Sequence, residues 1–87
     1  MNEQEKERQR LKKDLEVVMS TPSGRRIVWR LLSIAGTFTR SFDANSQYAT
    51  AFNEGKRSVG LDLYDDIMTH CPERYIQAQN DHNSEIA

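Results

Sequence analysis

The sequence predicts an all-α fold, a small helical domain with three principal helices, a short fourth helix and a charged N-terminal arm. Apolar residues recur at three- and four-residue steps in three segments, and typical helix start and stop residues bound these segments. The chain has 87 residues, 37% hydrophobic and 29% charged, which suits one soluble domain with a thin core. We expect an arm at 1–10, a helical domain at 11–80 and a polar tail at 81–87.

The first helix is predicted over residues 3–19. Nearly every residue before Lys13 is charged or glutamine, and Leu11 is the first apolar residue after Met1. Leu11, Leu15 and Val18 are expected to form its apolar stripe. Because residues 1–10 contribute almost nothing apolar, any order there is expected to come from contacts outside the domain.

The second helix is predicted over residues 22–35. Thr21 is a suitable N-cap, Pro22 suits the first helical position, and Gly36 is a stop signal. The segment is apolar nearly all round, which predicts burial between two other helices. The residues expected to line one of its faces are Ile27, Leu31 and Ile34.

The loop over residues 36–46 contains two phenylalanines, Phe38 and Phe42, among small polar residues. Aromatic side chains bury large areas, so the favoured interpretation is that both rings tuck back under the domain. The alternative is a pair of exposed anchors for a partner protein.

The third helix is predicted to begin near Asp43 or Asn45 and to end near His70, followed by a short fourth helix from Pro72. Tyr75 and Ile76 are the fourth helix's expected anchors. The third helix, about 37 Å long at 1.5 Å per residue, is expected to support the whole fold. Its single stripe at helical spacing comprises Tyr48, Phe52, Gly55, Val59, Leu63 and Ile67.

Two glycines, Gly55 and Gly60, lie inside this third helix, where each costs roughly 0.5–1 kcal/mol relative to alanine. Close approach of a neighbouring backbone is the ordinary structural reason for such residues. Gly55 lies on the stripe, so it is expected to face the domain interior. Gly60 lies about 140° further round the helix and is expected to face a partner.

The net charge of −1 conceals a segregation along the chain. Residues 17–42 carry four arginines and no acid, whereas residues 43–87 carry eight acids and three bases. In so small a domain the two regions must touch, so we expect them mainly to pair with each other. Specifically, Arg57 or Arg26 is expected to form a buried or half-buried pair with an acid of the first or third helix.

The same charges leave a nucleic-acid interpretation open. Arg25 and Arg26 lie in the first turn of a helix, where backbone N–H groups attract phosphate, and Arg30 lies one turn further on. Lys56 and Arg57 could extend this basic surface. The pI of about 6.1 weakens the interpretation, because dedicated DNA-binding proteins usually carry a strongly basic surface.

Catalysis, a metal site and a membrane span are not predicted. His70 and Cys71 are adjacent, so their side chains diverge on a helix, and with His82 they match no zinc-site spacing. Asp62 and Asp66 share a helix face, which favours a solvated acidic surface paired with Arg25 or Arg26 over an ion site. No run of 18 apolar residues is present. We therefore expect no enzyme activity and no cofactor.

Two segments carry distinctive patterns, TPxGRR at a helix start and EGxRxxGLxL in a later helix, with an aromatic-containing loop between them. The residues that match are Thr21, Pro22, Gly24, Arg25, Arg26, Glu54, Gly55, Arg57, Gly60, Leu61 and Leu63. The combination resembles a family of small proteins from the head and portal region of short-tailed bacteriophages, and the similarity covers about residues 15–70.

The resemblance implies a particle-associated or assembly role in the virion without catalysis. Expected partners are the portal or neighbouring proteins, together with copies of the chain in a ring or another symmetric assembly. The alternatives are a DNA-binding or terminase-associated packaging factor using Arg25, Arg26 and Arg30, and a soluble phage factor that binds a host protein. The expected partner-binding residues are Arg25, Arg26, Arg30, Phe38, Phe42, Lys56, Arg57 and Gly60.

Overall fold

In the computed structural model, which describes residues 1–39 and 44–86, four helices follow one another along the chain. They are α1 (Glu3–Met19), α2 (Pro22–Ile34), α3 (Gln47–His70) and α4 (Pro72–Ile86). The described residues contain no strand, so the all-α prediction is confirmed. The Cα atoms extend over 47 × 42 × 15 Å, so the molecule is a flat arrangement no more than two helices deep.

Side-chain caps start the first three helices. The Asn2 side chain accepts a hydrogen bond from the Glu5 N–H, and Thr21 Oγ1 accepts one from the Gly24 N–H, as expected for an N-cap. At α3 the cap is Ser46, whose Oγ accepts from the Ala49 N–H. The third helix therefore begins a residue or more later than the sequence suggested. Asp43 lies outside the described residues.

The turn after α2 is a Schellman motif, which places a buried threonine beside α3. Gly36 has φ +66°, a conformation that glycine adopts without strain. The Gly36 N–H donates to the Ser33 carbonyl and the Thr37 N–H donates to the Leu32 carbonyl. Thr37 Oγ1 donates to the same Leu32 carbonyl at 2.8 Å. The predicted stop at Gly36 is confirmed, and the turn fixes the position of Thr37.

All four helices and the residue between α3 and α4 contribute to a small hydrophobic core. On α1 the buried residues are Leu15 and Met19, whereas Leu11 and Val18 of the expected stripe are exposed. The prediction was right for Leu15 and wrong for Leu11 and Val18, because only the last turns of α1 are buried and Met19, not Val18, lies in the core there. The buried hydrophobic residues are Leu15, Met19, Val28, Leu32, Ile67, Cys71 and Ala78.

The fourth helix is not short. It has 15 residues, against 13 in α2, and it continues through Ile86, so most of the expected polar tail is helical. Of its two expected anchors, Tyr75 packs against the core while Ile76 is exposed. The predicted end of the helix was too early because Asp81 and His82, which attach its second half to α2, are polar. Polar residues add nothing to the apolar spacing from which a helix is predicted.

Ion pairs attach α4 to the other helices. Arg25 Nε donates to Asp81 Oδ2 at 2.6 Å, and Arg25 Nη1 donates to the Met19 carbonyl at 3.0 Å. Arg74 of α4 contacts Glu16 of α1 at 3.3 Å. A buried arginine pair was expected for Arg57 or Arg26 with an acid of the first or third helix. That prediction named the wrong residues, because the arginine that points into the bundle is Arg25 and its partner, Asp81, lies on α4.

The expected roles of the two glycines of α3 are reversed: Gly60, not Gly55, faces the inside of the domain. Gly60 is buried, and a Cβ added there would clash with Thr37 Oγ1 and lie 2.9 Å from the Ala35 Cβ. No atom from elsewhere in the described part of the chain lies within 4 Å of a Cβ added at Gly55. The internal close approach is therefore at Gly60, because the turn after α2 presses Thr37 against that side of α3.

Candidate interaction surface

The N-terminal half of α3 carries an exposed apolar stripe, Tyr48–Phe52–Val59, here called the α3 stripe. Its three side chains are between 66% and 91% exposed. The sequence predicted one internal stripe along the whole helix, and that was wrong for this half. Within that stripe Ile67 is fully buried and Leu63 is partly buried against the core, so the core covers the C-terminal half of α3, where the buried Gly60 also lies.

Gly55 lies in the middle of the α3 stripe. With steps of four, three and four residues, Tyr48, Phe52, Gly55 and Val59 share one helix face. Gly55 is exposed, so it leaves a gap between Phe52 and Val59. Lys56 borders the stripe, with Nζ 5.0 Å from the centroid of the Phe52 ring, a favourable cation–π distance.

A second apolar surface lies on α2 and comprises Ile27, Leu31 and Ile34, here called the α2 face. Each of these side chains is at least 51% exposed. The expected burial of this face was wrong. The buried positions are Arg25, Val28 and Leu32, so the helix turns a different side inward and leaves Ile27, Leu31 and Ile34 in solvent.

The three arginines of α2 do not form one basic surface. Arg25 is only 5% exposed and is held by Asp81. Arg26 is exposed and lies 3.7 Å from Glu85. Arg30 is exposed and belongs to none of the ion pairs found between described residues. The nucleic-acid interpretation that combined all three arginines loses Arg25, because a buried, paired guanidinium cannot reach phosphate. Arg57 is half-buried.

Aromatic rings join α4 to α2, α3 and the turn. Phe38 is 60% exposed, yet its ring meets Tyr64 edge-on at 5.1 Å, so it is neither tucked in nor free. Tyr64 in turn meets Tyr75 at 5.1 Å. Trp29 stacks on His82 at 4.9 Å between ring centroids. Phe42, the other expected anchor, lies outside the described residues.

A groove of about 500 Å³ runs between α2 and α4 beside this stack. Trp29 and His82 line it, as do both members of the Arg26–Glu85 pair and Asp81. Because Asp81 and Glu85 already hold Arg25 and Arg26, the groove presents mixed charge without an evident preference for one class of ligand.

The chain's one thiol is not placed for nucleophilic chemistry. Cys71 is fully buried, and burial raises the pKa of its thiol above the ordinary value, with the Glu16 and Glu73 carboxylates adding to the effect. A raised pKa keeps the thiol protonated and unreactive near neutral pH. Within residues 1–39 and 44–86, no three His, Cys, Asp or Glu side chains group closely enough to hold a metal ion.

Three residues that line the groove between α2 and α4, Trp29, Asp81 and His82, were not predicted as site residues from the sequence. One feature of the sequence pointed to the longer helix. Asp81 and Glu85 are four residues apart, so they share one face of a helix that continues beyond Ala78, and such a face can contact a neighbouring helix through polar side chains.

No helix in the described part of the chain is long and apolar enough to cross a membrane.

Comparison with known proteins gives one match. Residues 15–80 match the family model described as Bbp19-like phage protein, which covers about three quarters of the chain. The curated proteins and the solved structures give no match. The match agrees with the resemblance to phage proteins noted from the two glycine-containing segments, and the chain belongs to the family of Bbp19-like phage proteins.

Proposed function

We propose that this phage protein is a non-enzymatic structural or accessory component of a tailed bacteriophage particle. In this proposal it docks by helix packing on the portal or on neighbouring head proteins. Family membership supports the phage setting. The resemblance of residues 15–70 to head and portal proteins supports the position in the particle.

The observation that carries the proposal is the imbalance between covered and uncovered apolar side chains. Among the described residues, thirteen large hydrophobic side chains are exposed and seven hydrophobic residues are buried. Scattered exposed apolar residues are normal in proteins. Here, however, six of the thirteen form the α3 stripe and the α2 face, and contiguous apolar surface of this kind marks protein–protein contact.

The flat shape of the molecule supports docking further. At 15 Å in its thinnest direction, much of the chain lies near a surface, and small domains of this kind commonly gain stability from association. No catalytic step is assigned to the chain, because its one thiol is buried and its histidines lie in contacts with Trp29 or at the end of α3.

The proposal is tested by quantitative mass spectrometry of purified particles of a phage that encodes this chain. A fixed number of copies per particle is expected, measured against the major capsid protein. Recovery only with the DNA-packaging machinery would favour a packaging factor. Recovery only in complex with a host protein would favour a soluble phage factor that binds a host protein. Either result contradicts the proposed function.

A matched pair of variants tests whether incorporation into the particle requires the α3 stripe. Phe52→Asp places a charge in the stripe and is expected to reduce incorporation at least tenfold, whether the stripe contacts another virion protein or a further copy of the chain. Ile76→Asp changes an apolar side chain of similar exposure on α4 and is expected to leave incorporation unchanged. Equal loss in both variants would argue against a specific role of the α3 stripe in assembly.

A further inference from the structure

We propose that the α3 stripe of one copy of this chain packs on the α2 face of the next copy, in a head-to-tail contact. This inference rests on the proposed function and deepens it, because it names a second copy as the partner of the same surface. The two faces are defined above as Tyr48–Phe52–Val59 with Gly55, and Ile27–Leu31–Ile34.

The shapes of the two faces are complementary. Both follow steps of four and three residues, so each runs nearly along its helix axis and the two can be laid against each other. The α3 stripe has a gap at Gly55 between Phe52 and Val59, and the α2 face has Leu31 projecting between Ile27 and Ile34. A side chain such as Leu31 can enter the gap, because a Cβ at Gly55 would meet none of residues 1–39 and 44–86 outside its own helix.

Charge favours contact between the two different faces. The sequence of α2 contains no acidic residue, and Arg30, next to Leu31, is exposed. The edge of the α3 stripe carries Asp62, which is exposed, and Lys56, which lies over the Phe52 ring. Packing α2 on α3 of another copy can bring Arg30 to Asp62, whereas packing α2 on α2 would bring arginines together. Two α3 stripes carry charges of both signs, so the Leu31→Asp variant below tests that symmetric contact.

The contact cannot form within one molecule, because both faces are exposed in it. A contact between two different faces is heterologous, so it leaves one of each face open in every dimer and continues into a ring or a filament. About six side chains form the contact, which is at the low end of interface size, so each single contact is expected to be weak.

The test uses sedimentation equilibrium of the purified chain up to about 1 mM, where even a millimolar dissociation constant gives substantial association. The wild type is expected to show an average mass that rises with concentration above the 10.1 kDa monomer. Leu31→Asp blocks the α2 face and Phe52→Asp blocks the α3 stripe, and each variant alone is expected to remain monomeric. Ile76→Asp, the matched control, is expected to associate like the wild type.

Mixing the two blocked variants tests the head-to-tail arrangement. Each retains one intact face, so an equimolar mixture is expected to form dimers of twice the monomer mass and nothing larger. If either blocked variant dimerises by itself, the contact is symmetric and the inference fails. The inference also fails if the wild-type chain stays monomeric at every concentration, or if the equimolar mixture of the two variants stays monomeric. Circular dichroism of each variant confirms that it is folded.

Failure here is distinguishable from failure of the proposed function. The sedimentation experiment uses the isolated chain and no phage particle. A monomeric wild-type chain that is nonetheless present in fixed copy number in particles would overturn the head-to-tail contact and leave the proposed function standing.

Discussion

Arg25 and Asp81 lie 56 positions apart, and Arg25 Nε donates a 2.6 Å hydrogen bond to Asp81 Oδ2. Arg25 also donates to the carbonyl of Met19, the last residue of α1. One guanidinium therefore joins the end of α1, the start of α2 and the second half of α4. The Arg25 side chain is 6% exposed and the Asp81 side chain 32%, so the pair is largely removed from water.

Asp81→Ala is expected to lower the free energy of unfolding by about 2–3 kcal/mol. Removing one member of a fully buried pair costs roughly 3–5 kcal/mol, and the partial exposure of Asp81 reduces this. Urea denaturation followed by circular dichroism measures the change. The control is Glu85→Ala, which removes the half-exposed partner of Arg26 and should cost under about 1 kcal/mol. Equal effects would show that burial of Arg25 contributes nothing.

Gly60→Ala and Gly55→Ala are expected to change stability in opposite directions. A methyl group at Gly60 clashes with Thr37 and Ala35, and overpacking of this kind costs about 1–3 kcal/mol. At Gly55 the methyl group meets no other side chain that the structure describes, so the better helix propensity of alanine adds up to about 1 kcal/mol. Thermal melts of the two variants against wild type measure the difference. Stabilisation by both would contradict the close contact between Gly60 and Thr37.

Removal of residues 81–87 is expected to destabilise the domain by at least as much as Asp81→Ala. The truncated chain loses the partner of Arg25 and the His82 ring that stacks on Trp29. Trp29 is the only tryptophan, so its fluorescence reports directly on this contact. A truncated chain with unchanged stability and an unchanged Trp29 spectrum would indicate that the second half of α4 is dispensable.

The stability of the domain is expected to fall as the pH rises above about 9, in part through Cys71. Burial raises the pKa of this thiol above its ordinary value of 9.0. The unfolded chain therefore releases the proton at a lower pH than the folded chain, and the folded state loses stability as pH rises through that window. Burial similarly raises the pKa of Tyr75.

Denaturation at pH 8 and pH 10 checks the contribution of Cys71. Wild type should lose more stability between the two pH values than Cys71→Ala, in which Tyr75 and every other titrating group are retained. The same thiol should react with an alkylating reagent at pH 8 far more slowly in the folded than in the unfolded chain. An equal pH dependence in wild type and variant would remove the assigned role of Cys71.

Hydrogen exchange of the isolated chain is expected to show little protection at the N-terminal end of α1. Every residue from 1 to 14 is exposed, and the first buried residue is Leu15. A helix without tertiary contacts opens readily. Strong protection before Leu11 in a monomer would contradict this. Protection that appears only on assembly would indicate that another molecule covers the arm.

The sequence by itself determined the helices and most of their ends. Thr21, Pro22 and Gly36 act locally, through a cap, a fixed φ and a left-handed turn, so neighbouring residues suffice to predict them. The helical spacing of apolar residues likewise showed that Tyr48, Phe52, Gly55 and Val59 share a face. It could not show whether that face is covered, because periodicity identifies a side of a helix and says nothing about what lies against it.

Only the tertiary structure decided which sides are covered. The buried residues of α3, Gly60 and Ile67, both lie in its C-terminal half, while Phe52 in the first half stays in solvent. The turn after α2 places Thr37 against Gly60 and so reverses the expected roles of the two glycines. Arg25 finds Asp81 across 56 residues because α4 folds back along α2. These relationships depend on how helix axes cross in space, and that geometry is set by the combined packing of all four helices.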